Sequence, residues 1–369
     1  MEQNKLKILY DHLGFMEKYG GVSRYYSQMI AHLPATISYD IAIHFSSNEY
    51  LPLIKKNGYF HFINKNFPHK DRFYSELNKP NSIRHIKHGD YDVYHMTHCD
   101  PYGFKFVPEN KMKVMTVHDL NLYMIPGIVS DTFSLKVWQK ESAGIVDKII
   151  AVSENTKKDM IEQWNIPEQK ITVIHHGVSI PDKADFDIPT QIEKPYILYV
   201  GSRAAFKNFN MLVSVFEKLC QRYPDLLLVC TGSSFSAEEQ KMISGKRLTD
   251  KIKQISVGDR QLHSLYHHAC CYVYPSLYEG FGMPLLEAMA AECPVVCSQS
   301  SCFPEIAGDA ALYFDPHSEQ EMLYAIEKMI SSNAMRETFI SLGNERIKKF
   351  TWEECAAHHA QFYFGCNCK

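Results

Sequence analysis

The chain has 369 residues, 45% of them hydrophobic and 22% charged, which describes a globular protein of about two domains rather than one core. A formal net charge of −3 excludes nucleic-acid binding by bulk charge, and no run of about eighteen apolar residues offers a membrane span. Eleven cysteines, an odd number, sit mostly in apolar segments; Cys230, Cys270, Cys271, Cys293 and Cys297 read as small buried hydrophobes of a reducing compartment.

Met1–Lys5 runs straight into an apolar segment without the regions of a signal peptide, so the expectation is a cytoplasmic protein. Short apolar runs follow at Leu6–Tyr10, Tyr39–Phe45, Val93–Met96, Lys113–His118, Lys148–Val152 and Ile171–His175, with amphipathic segments such as Val22–Leu33 among them. Val178–Lys194, which holds Pro181 and Pro189 and lacks apolar periodicity, reads as a linker. Beyond it the plan repeats, with strands at Tyr196–Val200, Leu226–Cys230, Lys253–Val257, Cys271–Tyr274 and Pro294–Cys297. Helices at Asn210–Gln221, Arg260–His268 and Pro284–Ala291 separate them, and Glu319–Ser331, Met335–Lys349 and Trp352–Tyr363 close the chain. Alternating strands and helices predict an α/β protein of two doubly wound, Rossmann-like domains, residues 1–178 and 179–351, with an interdomain cleft. The last helix, about 352–369, is expected to pack back on the first domain.

Four stretches carry candidate chemistry. Glu279-Gly280-Phe281-Gly282-Met283-Pro284-Leu285-Leu286-Glu287 brackets a glycine turn and a helix start with two carboxylates. Exposed amides at a helix start favour an anion, phosphate above all, and the carboxylates are then left to accept hydrogen bonds from hydroxyls on either side. Hydroxyls, phosphate and hydroxyls again describe a nucleotide-sugar. Gly20-Gly21 before a helix permits close backbone approach to phosphate. His118 ends a strand, and Arg203 and Lys207 follow the strand-end Gly201, where they suit a pyrophosphate. Each has an ordinary structural alternative: a plain turn, a core histidine, solvated loop charges, and an acid that complements a helix dipole. The Gly-x-Gly-x-x-Gly fingerprint is absent, which disfavours a dehydrogenase.

Together the motifs resemble the retaining family 4 glycosyltransferases of GT-B fold, in particular mannosyltransferase-like members of bacterial surface-polysaccharide assembly. The resemblance is carried by Glu279–Pro284 with Glu287 (a Glu-x7-Glu element), Gly20–Arg24, Val117–Leu120, Val200–Arg203 with Lys207, and Pro304–Gly308. It covers nearly the whole chain. It implies that Glu279 and the amides of Phe281, Gly282 and Met283 hold the donor sugar, Leu286 lines the donor site, and Glu287 takes the ribose hydroxyls. By the same resemblance Arg203 and Lys207 neutralise the pyrophosphate, the Gly20 and Gly21 amides cover it, His118 stands at the reacting centre, and the base lies against Val257 and Gly258. In such families the Arg follows the strand-end Gly directly; here Ser202 intervenes, so Lys207 is the firmer assignment.

The activity so implied is metal-independent transfer of a hexose with retention, needing no cofactor, from a GDP-sugar such as GDP-mannose or, second, a UDP-sugar. The acceptor is a glycan or lipid-linked acceptor, probed by Lys55–His88, where eight Lys and Arg face only Asp71 and Glu76 among interleaved aromatics. That pattern suits an anionic membrane surface, hence peripheral attachment on the inner face, and equally a solvated helix pair with core aromatics. Nucleic acid is not expected as a partner. The alternatives are a GT-B nucleotide-sugar epimerase, a non-catalytic nucleotide-sugar-binding partner protein, and a metal-dependent transferase using Asp90-Tyr91-Asp92 or Asp185-Phe186-Asp187. Cys366 and Cys368 alone are a weak zinc signal.

Overall fold

Strand and helix alternate along the chain as the apolar runs require, in the order β1 (Leu6–Tyr10), α1 (Gly21–Ala31), β2 (Ile37–Ile41), β3 (Phe45–Ser46), β4 (Phe60–His61), α2 (Lys70–His88), β5 (Val93–Met96), β6 (Met112–Val117), α3 (Asn121–Met124), α4 (Thr132–Ile145), β7 (Lys148–Ala151), α5 (Glu154–Trp164) and β8 (Ile171–Val173). Then come β9 (Tyr196–Tyr199), α6 (Phe209–Arg222), β10 (Leu227–Thr231), α7 (Ala237–Gly245), β11 (Ile252–Ile255), α8 (Asp259–His268), β12 (Cys271–Tyr274), α9 (Met283–Ala290), β13 (Val295–Ser298), α10 (Phe303–Ala307), β14 (Ala311–Phe314), α11 (Glu319–Ser331), α12 (Asn333–Ile347) and α13 (Trp352–Cys366). This is a computed structural model, and it describes residues 5–54, 60–61, 70–125 and 132–366. The chain divides into two units, Met1–Gly177 with Thr351–Lys369, and Val178–Phe350.

The first unit holds a six-stranded sheet in the order β2-β1-β5-β6-β7-β8, and every neighbouring pair is parallel. The second holds another, β11-β10-β9-β12-β13-β14, again all parallel. In each, the strand order reverses beside the unit's first strand, at β1/β5 and at β9/β12. Ligands of open parallel sheets bind outside the carboxyl ends of the strands at such a reversal. Strands β5, β9, β10, β12 and β13 are buried along their whole length, because a parallel sheet covered on both faces has no polar side. Helix α6 shows how its sequence matches that role. Phe209, Leu212, Val213, Phe216 and Leu219 recur at helical spacing and all join the core of the second unit.

Several elements differ from their sequence patterns. The second strand covers Ile37–Ile41, not 39–45; past Ile41 the backbone leaves the sheet, and the Asn78 side chain accepts the His44 and Phe45 amides at 2.7 and 2.9 Å. Lys70–His88 is one helix with Pro80 inside it. Within 55–88, residues 55–59 and 62–69 lie outside the described residues, as does Cys368. The patterns left out β3, β4, α3, α4, α5, α7, α10 and β14. For α5 a signal was there: Ser153 caps it by accepting the Thr156 amide at 3.0 Å.

The chain crosses from the first unit at Gly177 and returns at Thr351. A Cβ on Gly177 would lie 2.6 Å from Trp352 Cα, so the outgoing and returning strands of chain touch at backbone level. One residue on, the Val178 amide donates to the Phe350 carbonyl at 2.8 Å and ties the two ends of the second unit together.

Candidate active site

In the second unit, the two loops at the reversal point carry the strongest pair. The loop after β9 passes through Gly201, at φ +114, and a short 3-10 turn, Ala205–Lys207, before Asn208 turns left-handed at φ 57 and starts α6. It delivers Lys207. The loop after β12 delivers Glu279. Lys207 Nζ stands 2.5 Å from Glu279 Oε1 and 3.4 Å from Tyr274 Oη, with the two charged side chains only 18% and 10% exposed. The Glu279 backbone is fixed from behind: its amide donates to Ser301 Oγ at 3.0 Å, and the Cys302 thiol donates to its carbonyl at 3.3 Å. Burial first, and then the Glu279 charge, pushes the Tyr274 hydroxyl up, so it stays protonated and able to donate.

Gly282 opens α9 at φ +85, where a Cβ would also lie 2.9 Å from Phe303 Cε1. Only glycine suits both the conformation and the space. Pro284 occupies the first turn and sacrifices no hydrogen bond there. Phe281 and Leu286 are buried in the core, whereas Met283 and Glu287 are partly exposed. Gly258, exposed, is the N-cap of α8, with Val257 half-buried before it.

Arg203 has other work. Its Nε donates to Glu239 Oε1 at 2.8 Å, and Nη2 donates to the Ser233 and Ser234 carbonyls at 2.6 and 3.0 Å. The guanidinium also lies 4.8 Å from the Phe235 ring centre and 5.7 Å from that of Phe209. With 3% of the side chain exposed, it pins the loop after β10 to the loop after β9. Nη1 alone has no hydrogen-bond partner among the described residues.

In the first unit, Gly20 is the N-cap of α1 and Gly21 its first residue, with no acidic residue in the first turn. A Cβ on Gly20 would run into the Glu17 carboxylate, whereas Gly21 faces open space. His118 directly follows β6. Its ring stands edge-on to Tyr25 at 4.9 Å and to His176 at 5.5 Å, and its buried Nε2 has no hydrogen-bond partner among the described residues. Burial, with lesser contributions from His98 and His359, lowers its pKa to about 4, so the imidazole is neutral at physiological pH. Sequence reasoning missed Tyr274, Glu239, Tyr25 and Asp11. Asp11 is buried after β1 and accepts from Thr97 Oγ1, from the Leu13 amide at 3.0 Å and from Tyr94 Oη at 3.1 Å. Burial pushes its carboxyl up to about 6 against those bonds.

The two Asp-x-Asp strings are already engaged. Asp90 pairs with Lys7 Nζ at 2.5 Å, and Asp92 accepts the Lys7 amide at 2.9 Å, at the amino end of β5 and away from His118. Asp185 takes Arg260 Nε at 2.6 Å and His263 Nδ1 at 2.9 Å. Among the described residues no group of three or more His, Cys, Asp or Glu is arranged to hold a metal ion.

Two Rossmann-like units of this topology, each with its candidate residues at strand carboxyl ends, are the architecture of the GT-B fold. Family models agree: that for glycosyl transferases group 1 matches residues 182–346, and that for glycosyltransferase family 4 matches residues 19–180. The chain belongs to glycosyltransferase family 4. It is 30% identical over 266 residues to the O-antigen chain mannosyltransferase B of Escherichia coli, spanning 68% of this chain and 69% of that protein. It is 31% identical over 228 residues to the O-antigen chain mannosyltransferase RfbU of Salmonella typhimurium, spanning 60% of this chain and 62% of the relative's length. Among solved structures, HepE of Anabaena in complex with UDP-glucose has the same fold, with a TM-score of 0.76 at 16% identity over 98% of this chain and 100% of that one.

Proposed function

We propose that this enzyme moves a hexose, mannose from GDP-mannose first and a UDP-sugar's hexose second, to a glycan or lipid-linked acceptor of surface-polysaccharide assembly, with retention and without a metal ion. The observation that carries the proposal is the Lys207–Glu279 pair at the β9/β12 reversal, which puts a phosphate-seeking cation beside a hydroxyl-seeking carboxylate. Mannosyl transfer is supported by the names of the relatives, and UDP as second choice by the ligand of HepE.

In this proposal Glu279 and the amides at the start of α9 hold the sugar, and Glu287 holds the ribose. Lys207 and those amides receive the negative charge that grows on the pyrophosphate, usually the largest catalytic contribution. Arg203 adds to it through Nη1 or after leaving Glu239. The Gly20 and Gly21 amides act on the pyrophosphate and His118 on the sugar. The bond from the sugar's anomeric carbon to the phosphate oxygen breaks, and the acceptor oxygen bonds to that carbon on the same face. The acceptor's proton passes to the departing phosphate oxygen, so no second carboxylate is needed for a covalent intermediate. A scanning-calorimetry screen with GDP-, UDP- and dTDP-sugars tests this. At about 100-fold over Kd the true donor adds about 2.7 kcal/mol, a shift of about 5 °C or more for units of this size. The shift and the transfer rate are expected to survive EDTA; loss of either in EDTA, or no stabilising nucleotide-sugar, sinks the proposal.

Among the described residues no helix is long and apolar enough to cross a membrane. We place the enzyme in the cytoplasm, peripheral on an anionic inner membrane face, through α2. Phe73 and Leu77, four residues apart on one face, are 51% and 41% exposed, with Arg72, Arg84 and Lys87 exposed on the same helix. The protein should float with anionic liposomes and not with neutral ones, and Phe73→Ser with Leu77→Ser should weaken flotation. Failure to float with anionic lipid ends this placement.

A further inference from the structure

His118 owes its setting to α13, a helix of the same unit that begins only at Trp352.

His359 on α13 is fully buried, and its Nδ1 lies 2.8 Å from the Cys355 carbonyl. A carbonyl only accepts, so Nδ1 carries the ring's proton and Nε2 offers a lone pair. Tyr25 Oη, 2.7 Å away on α1, therefore donates to Nε2. The Tyr25 ring so fixed is the wall against which His118 stands edge-on, and it also lies 4.4 Å from the ring of His176, the second wall. One helical turn on, α13 makes a second connection. Tyr363 Oη is 2.6 Å from His95 Nδ1, and His95 Nε2 is 3.0 Å from Thr116 Oγ1, two residues before His118 on β6. Both routes run from the last helix to the strand end that carries His118, one through an aromatic ring and one through hydrogen bonds. Because no hydrogen bond among the described residues holds His118 Nε2, packing against these rings sets how the imidazole points.

We propose that Tyr25 and His359 are positioning residues for His118: the Tyr25 O–H to His359 Nε2 bond clamps the Tyr25 ring, and the ring orients the His118 imidazole at the reacting centre. It rests on His118 acting in transfer, as proposed above. Small misplacement of a reacting group is costly in rate even where binding is untouched. Tyr25→Phe keeps the ring and removes only the O–H, so it is expected to lower kcat about tenfold with the donor KM within about twofold of wild type. His359→Leu should match it. His359→Gln, whose amide oxygen reaches the place of Nε2, should recover most of the rate. The deciding measurement is a double-mutant cycle: in a His118→Ala background, Tyr25→Phe should have no further effect on the residual rate. The 15N shifts of the His118 imidazole should also move in Tyr25→Phe. Tyr25→Phe at full kcat, or an equal slowing with and without His118, overturns the positioning role while leaving the glycosyltransferase site intact. His118→Ala at the wild-type rate overturns the catalytic reading of His118, and the positioning role with it. A purely structural bond would lower the melting temperature and leave kcat per folded molecule unchanged.

Discussion

Lys207→Ala is expected to lower the rate of sugar transfer by about 10²–10³-fold, the usual cost of removing one charge-stabilising donor from a transition state. Lys207 Nζ lies 2.5 Å from Glu279 Oε1, so a donor phosphate must compete with that carboxylate for the ammonium. The nucleotide-sugar resolves the competition by giving Glu279 sugar hydroxyls in exchange. Glu279→Ala should then be slow for a different reason: the cation remains but the sugar is no longer held. Rates of nucleotide release, measured with and without acceptor, separate the two, since Lys207→Ala should depress both and Glu279→Ala should favour hydrolysis relative to transfer. Near-normal transfer in both variants would remove this pair from the chemistry. Glu279→Gln keeps the shape and loses the charge, and serves as the control for a collapsed loop.

The second large effect is on stability. Acidification should unfold the first unit between about pH 6.5 and pH 4. Burial holds His118 and His359 neutral with pKa values of about 4, and drives His95 and His176 well below the ordinary histidine value. The sign follows from which state takes up protons. Above about pH 6.5 neither state binds them and the full stability is present; as pH falls towards 4 the unfolded chain protonates its imidazoles and the folded chain does not. Relative to neutral pH, holding His118 and His359 neutral while the unfolded chain protonates costs on the order of 3 kcal/mol each, against about 5–15 kcal/mol for a typical domain, and Asp11, its carboxyl raised to about 6, offsets part of that loss by taking up a proton in the folded state first. The sequence has three tryptophans, Trp138, Trp164 and Trp352, and all fall in the first unit, so their fluorescence reports that unit alone. Urea midpoints read this way should drop steeply from pH 7.5 to pH 4.5. A flat profile would mean that these imidazoles are not buried neutral.

What the sequence made legible follows from range. Gly282, Pro284 and the two carboxylates announce a turn and a helix start because their reasons are local: one φ, one missing amide, one helix end. The strand pattern then implies a reversal point, and with it the meeting of the loops after β9 and β12. Arg203 was less legible, because its capture by Glu239 depends on where the loop after β10 folds. Strand β14 escaped notice since Ala311 and Leu312 favour helix as readily as strand. The Tyr25–His359 bond joins residues 334 apart, and no local propensity of either residue points to the other.

The touching of chain at Gly177 and Trp352 has a consequence for synthesis. In the linear chain the second unit is an insertion within the first. A ribosome finishes Val178–Phe350 before it makes the residues that pack on Tyr10, Tyr25 and His95. The half of the enzyme that emerges first is therefore the half completed last. Its cluster of buried tyrosines and histidines waits, unsealed, for the final fifteen-residue helix to leave the exit tunnel.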